Sequence, residues 1–137
     1  MKEISLFTLL VLAFNFWSAP ALAAATEKAE TVSIVQLIAT PEKYEDKLIT
    51  IRGFVHLEFE SNAIYLHKED YEQSLYSNGL WLNARECKRI GGQAFDTGYA
   101  WVTARFTAKR HGHMGLWPGE LQDVQDCSGW PPHRAGT

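Results

Sequence analysis

The sequence predicts a mostly β domain with a short N-terminal helix, its strands curving into a five-stranded barrel, and three observations carry that expectation. Apolar residues recur at every second position, with Ile49, Ile51, Val55, Leu57 and Phe59 alternating against Thr50, Arg52, His56 and Glu58, and later Ala100, Val102, Ala104 and Phe106 in the same rhythm. A period of two turns one side of a strand towards a core. A helical signature occurs at the start of the domain, where Ser33 and Gln36 form a capping-box pattern ahead of Ile34, Val35, Leu37 and Ile38. Glycine and small polar residues then cut the chain into short strands.

A leader precedes the domain. Met1-Lys2 gives a positive start, Ile4 to Phe14 is apolar apart from Ser5 and Thr8, and Pro20-Ala21-Leu22-Ala23 places small residues at the alternate positions that a signal peptidase reads. Residues 1–23 are therefore expected to be a signal peptide cleaved after Ala23, with Ala25 as the alternative point. Ile4 to Trp17 is shorter than the roughly 20 apolar residues needed to cross a bilayer. The expectation is an exported protein, periplasmic or secreted, with no membrane span after cleavage. About 114 of the 137 residues remain, enough for one small domain. Losing Lys2 and Glu3 together leaves the net charge at −3, and a mildly acidic surface excludes general nucleic-acid binding.

Residues 24–31 are small and polar and predict a flexible lead-in to the OB-like β domain, residues 32–127. After the helix Pro41 interrupts, and Glu42 to Lys47, with Tyr44, predict a turn. Leu48 to Phe59 predicts the first strand, in which Gly53 marks a bulge or sharp bend. Glu60-Ser61-Asn62 predicts a turn and Ala63 to His67 the second strand, while Lys68 to Asn78 is polar and its spacing fits a loop or a helical turn equally. Gly79 to Asn83, with Leu80, Trp81 and Leu82, predicts the third strand. Ala84 to Gly98 is irregular, with a helical turn expected at Ala84 to Lys88 and a break at Gly91-Gly92. Tyr99 to Thr107 predicts the fourth strand, Lys109 to Gly115 a glycine-punctuated loop, and Glu120 to Cys127 a fifth strand bulged between Leu121 and Val124. Residues 128–137, with Trp130-Pro131-Pro132, form a tail. Five bent strands with an irregular crossing between the third and fourth match an OB-type barrel; an open β-sandwich fragment is the alternative.

The chain carries two cysteines, Cys87 and Cys127. In an oxidising compartment they are expected to pair, whereas a redox role would call for C-x-x-C spacing. A metal site shared with nearby histidines is the remaining alternative.

Val35-Gln36-Leu37-Ile38-Ala39-Thr40-Pro41-Glu42-Lys43-Tyr44, leading into Ile49-Thr50-Ile51-Arg52-Gly53-Phe54, then Ala63-Ile64-Tyr65-Leu66, His113-Met114-Gly115-Leu116 and Gly119-Glu120-Leu121-Gln122-Asp123-Val124, resembles a type of small exported bacterial OB-fold-like protein. The resemblance spans most of the mature chain. It implies a fold and brings no catalytic residue with it.

Among candidate sites, Lys109-Arg110-His111-Gly112-His113-Met114-Gly115 is the densest. His111 and His113 would suit zinc or copper if Glu120, Asp123, His56 or His67 supplied a third ligand; the competing reading is a polar loop in which one histidine bonds a backbone carbonyl and the other faces solvent. Arg105, Lys109 and Arg110 near Trp117 would meet an anionic ligand, and Tyr65, Trp81, Tyr99 and Trp101 would offer stacking surfaces unless the core uses them. The carboxylate pairs Glu58/Glu60, Glu69/Asp70 and Asp123/Asp126 are sequence neighbours with no evident cleft between them. No nucleophile elbow or phosphate loop occurs. The expected function is a non-enzymatic binding or interaction module of the cell envelope, its partner an envelope protein or small ligand, with no cofactor and with ligand residues Trp81, Trp101, Arg105, Arg110 and Trp117. The alternatives are a metal-binding protein or metal-dependent hydrolase using His111 and His113, and a rigid loop, Lys109 to Gly115, shown to a partner.

Overall fold

A computed structural model of the chain describes residues 26–83, 87, 89–90 and 93–129. The expected leader, most of the turn expected at Ala84 to Lys88, Gly91-Gly92 and the expected tail from Trp130 onward lie outside these residues. The elements run β1 (Glu30–Thr31), α1 (Ile34–Ala39), α2 (Pro41–Tyr44), β2 (Leu48–His56), β3 (Ala63–Tyr65), α3 (Lys68–Glu72), β4 (Gly79–Leu82), a small hairpin of β5 (Arg89–Ile90) and β6 (Gln93–Ala94), then β7 (Thr97–Thr107) and β8 (Glu120–Gly129). The sheet order β1-β2-β3-β4-β8-β7 closes through an added β2–β7 pairing. Five strands, β2, β3, β4, β7 and β8, thus form a closed barrel with the OB-like connectivity, in which β4 and β8 run parallel and the other barrel pairs antiparallel.

Alternation sets the interior. Ile49, Ile51 and Val55 of β2, Ile64 of β3, Leu80 and Leu82 of β4, Ala100, Val102, Ala104 and Phe106 of β7 and Leu121 of β8 are almost wholly buried in one cluster, joined by Ile34 and Leu37 of α1 and by Tyr44 of α2. Removing such apolar surface from water is the main favourable term of folding. The α1 capping box forms as the sequence predicts: Gln36 N donates to Ser33 Oγ at 3.1 Å and Ser33 N donates to Gln36 Oε1 at 2.9 Å.

Several segments differ from the sequence expectation. The segment 42–47 contains most of a short helix, α2, begun by Pro41, whose fixed φ suits a first helical turn. The undecided 68–78 segment is helical twice, in α3 and in a 3-10 turn at Tyr76–Asn78. The end of the lead-in is held: β1 pairs in parallel with Ile49 and Thr50, and Glu27 accepts from Leu48 N. β2 stops at His56 although the alternation runs on, because His56 is the last residue with a partner on both sides, Ala63 and Thr97. Phe59, expected inside, is consequently 96 % exposed in the following loop.

Gly53 carries no register shift: the β2–β7 ladder runs without interruption from Leu48↔Arg105 to His56↔Thr97. The glycine serves close approach instead, since a Cβ there would stand 2.4 Å from Tyr65 O and 2.7 Å from Ile64 Cγ1. The irregularity falls between β7 and β8, where the register steps from Thr103↔Asp126 to Arg105↔Gln122, so β8 advances four residues for two of β7. Asp123, at φ 46°, lies in that bulge, in the stretch where Leu121 and Val124 break alternation. Cys87 and Cys127 are disulfide-bonded, with Cα atoms 5.2 Å apart, tying the segment after β4 to β8.

Two outcomes test this packing. Gly53→Ala should lower stability by roughly 1–3 kcal/mol, the usual cost of overpacking, read as a fall in the urea midpoint; an unchanged midpoint would contradict the close approach. Replacing both cysteines by serine should remove about 4 kcal/mol for a closed loop of 40 residues, and intact mass should rise by about two hydrogens on reduction of the native protein if the pair is joined.

Candidate functional site

The expected ligand residues fall on different faces. On the outside of β3 and β4, Tyr65 and Ala63 join Trp117 in a second apolar cluster, with the partly buried Tyr71, Tyr76 and Trp81 packed against it. Trp117 stands edge-on to Trp81, with centroids 5.0 Å apart, and edge-on to Tyr76 at 5.1 Å. It is 3 % exposed, although it comes from the loop between β7 and β8. Burial pushes the Tyr65 hydroxyl up to about 12, with the nearby Trp117 indole acting in the opposite direction. In OB-type barrels this outer face is the usual ligand surface; here the protein's own loop packs on it.

Local geometry seats that loop. Gly112 has φ 62°, and a Cβ on it would come within 2.4 Å of Trp81 Cγ, so only glycine lets the backbone lie on the indole. His111 Nδ1 lies 2.9 Å from Trp117 O; a carbonyl only accepts, so Nδ1 is the protonated nitrogen. Trp117 N returns a bond to His111 O at 3.3 Å. His113 is exposed, its ring 6.5 Å from Trp81. Arg110 Nε pairs with the buried Glu120 carboxylate at 3.2 Å. Trp81, Arg110, His111, His113 and Glu120 thus line one shallow hollow. Among the described residues, no three His, Cys, Asp or Glu side chains gather around a point where a metal ion would bind.

Arg105 serves a different purpose. Its guanidinium donates to Glu27 Oε2 at 2.7 Å and to the Asp46 carbonyl, while Glu27 Oε1 accepts from Leu48 N at 3.2 Å. This latch holds the chain ahead of β1 against β2. The Arg105 and Leu48 hydrogen bonds hold the Glu27 carboxyl below its ordinary value of 4.5.

Trp101 lies elsewhere again, opposite Arg52 in the β2–β7 ladder. The Arg52 guanidinium sits over its indole, 5.7 Å from the centroid, the geometry of a cation–π contact. On its other edge β2 pairs with β1 only to Thr50 and with β3 only from Phe54. In the interval between these partners, at residues 51–53, a cleft of about 520 Å³ opens. Arg52, Gly53, Tyr99 and Trp101 line it from β2 and β7, Thr31 to Ile34 and Gln36 from the capped start of α1, and Leu66 and His67 from beyond β3. Two bonds fix that last wall: His67 N donates to Asp70 Oδ2 at 2.8 Å, and Lys68 N to the Tyr99 hydroxyl at 3.3 Å.

The sequence singled out Trp101 but not Arg52, Ser33 or Gln36 as its neighbours. Arg52 and Trp101 both occupy the polar side of an alternating strand, which is the available signal; their adjacency depends on a register that sequence spacing does not contain. No family model matches the chain, and no curated protein or solved structure matches it significantly.

The latch has a pH signature. A carboxylate whose pKa is lowered by folding stabilises the fold above its unfolded value, and that contribution is lost as pH falls through the lower folded value. The Leu48 amide proton, bonded to Glu27, should therefore titrate by NMR with a midpoint below 4.5, and Glu27→Gln should abolish that titration. A midpoint at or above 4.5 would contradict the latch.

Proposed function

We propose that the protein is a non-enzymatic binding module exported to the cell envelope, and that its ligand site is the cleft lined by Arg52, Tyr99 and Trp101. One observation supports the choice of site: Trp117 and the Gly112 backbone cover much of the outer face of β3 and β4 and leave beside Trp81 a more open, mostly polar hollow of about 420 Å³, whereas the β2–β7 side keeps a cleft of about 520 Å³ lined by aromatic, cationic and hydrogen-bonding groups. A concave surface with an apolar floor and a few convergent polar groups is the usual form of a small-ligand site. Export rests on the leader pattern of residues 1–23. The Cys87–Cys127 disulfide is compatible with it, as is the absence, among the described residues, of a helix long and apolar enough to span a membrane. His111 shapes the loop that seats Trp117, and the metal alternative gains no support from the described residues, among which no three His, Cys, Asp or Glu side chains gather.

Periplasmic or culture-medium extract passed over immobilised mature protein should leave a small molecule or partner that the native chain retains. Trp101→Ala should weaken retention at least tenfold, while Arg110→Ala, on the other face, should leave it unchanged. Equal retention by the Trp101 variant, or loss only in the Arg110 variant, would overturn the assignment of the cleft.

A further inference from the structure

We infer that the loop on the β3–β4 face binds a soft monovalent cation, Cu(I), with His111 Nε2, the His113 imidazole and the Met114 thioether as its donors. The site is separate from the cleft beside Trp101, so either stands without the other.

The first argument is the state of His111. Its Nδ1 donates to Trp117 O at 2.9 Å, so in the neutral ring Nε2 carries the lone pair. A histidine that ligates a metal almost always gives its other ring N–H to a carbonyl, a carboxylate or water, because that bond fixes the tautomer and the ring orientation. The Trp117 carbonyl supplies that bond here. His111 and His113 line one hollow with Trp81, whose ring centroid is 6.5 Å from that of His113. Both histidines are exposed, so an ion reaches them from solvent.

The second argument is the backbone at Met114. It holds φ 56° within the 3-10 turn His113–Gly115, after Gly112 at φ 62° and before Gly115 at φ 69°. A left-handed backbone suits glycine and is unfavourable for methionine. Met114 is also 79 % exposed, so packing contributes little to offset the strain. Conformations of this kind cluster at sites where function needs a side chain in one place. A thioether set beside two imidazoles gives methionine such a purpose.

The third argument selects the ion. Glu120 lines the same hollow, but its carboxylate oxygens accept from Arg110 Nε at 3.2 Å and from Gln122 Nε2 at 3.1 Å. His, Cys, Asp and Glu side chains alone gather into no metal site among the described residues, so a divalent ion such as zinc finds too few donors. Met114 adds a softer one. Thioether ligands select Cu(I), and imidazole suits copper as well.

Ag(I) shares the charge and softness of Cu(I) and needs no reductant, so the Cys87–Cys127 disulfide stays closed during the test. Protein without an affinity tag is titrated in chloride-free buffer with Ag(I), with Cu(I) held anaerobically in dilute acetonitrile, and with Zn(II); Trp fluorescence and native mass are the readouts. One Ag(I) or Cu(I) should bind per chain, with Zn(II) at least tenfold weaker. Met114→Leu and His113→Ala should each weaken both monovalent ions roughly tenfold or more, as should His111→Asn, which keeps a donor for Trp117 O and loses Nε2. Met1 and Met114 are the only methionines, so a methyl signal absent from the Met114→Leu spectrum belongs to Met114, and Ag(I) should shift it. If His111→Asn melts early, the exposed Met114 and its methyl signal decide the matter. No binding of Ag(I) or Cu(I), affinity unchanged in Met114→Leu, a Met114 methyl signal unmoved at saturation, or Zn(II) binding as tightly as Ag(I) overturns the Cu(I) site.

Discussion

The structure depends on one strand being hydrogen-bonded along both edges. β2 pairs with β7 over nine consecutive residues, and its other edge serves β1 first and β3 afterwards. This arrangement closes the barrel, because it joins the first of the five barrel strands, β2, to β7 at the far end of the sheet. It also requires Gly53, since the chain of β3 approaches so closely that a methyl group would meet the Tyr65 carbonyl. The interval between the two partners on that second edge gives the cleft its place, and the β7 register on the first edge puts Trp101 beside Arg52.

The two outer faces of the barrel consequently differ in what they offer. The β3–β4 face has the more conspicuous aromatic residues, but they satisfy one another: Trp117 rests on Trp81 and Tyr76, and the His111–Trp117 bonds clamp the loop that brings it there. On the β2–β7 face, α3 covers only the far end, where Tyr71 stacks on His56 with centroids 4.0 Å apart and lies 5.9 Å from Phe54. The Glu27–Arg105 latch secures the near end. What lies between is walled by rigid elements, a favourable setting for a site whose groups must be held in place before the ligand arrives.

Features that depend on near neighbours in the chain were legible in the sequence. Ser33 and Gln36 cap α1 because three residues separate them, and Ala100, Val102, Ala104 and Phe106 fill the barrel because β7 keeps strict alternation. Compartment and number lead one to expect Cys87 and Cys127 to pair, and the barrel brings them together. Phe59 misled because alternation reports only which side a residue would face if the strand continued; where a strand stops depends on the length of its partners. The cleft was hidden for a similar reason. Arg52 and Trp101 are 49 residues apart in sequence, and pairing register alone makes them neighbours. Conversely, Lys109 to Gly115 reads in sequence as a glycine-punctuated loop offered to a ligand or partner, and its role in covering Trp81 follows from the left-handed backbone at Gly112, which spacing does not reveal.

The division between a covered and an open face is the central claim, and the contact between Gly112 and Trp81 tests it most directly. In the NMR spectrum of the protein, the Gly112 Hα protons should show strong nuclear Overhauser effects to the Trp81 ring, as a backbone lying on that indole requires. If those effects are absent while the barrel's cross-strand signals are present, the loop does not cover the β3–β4 face, and that face is as open to a ligand as the cleft beside Trp101.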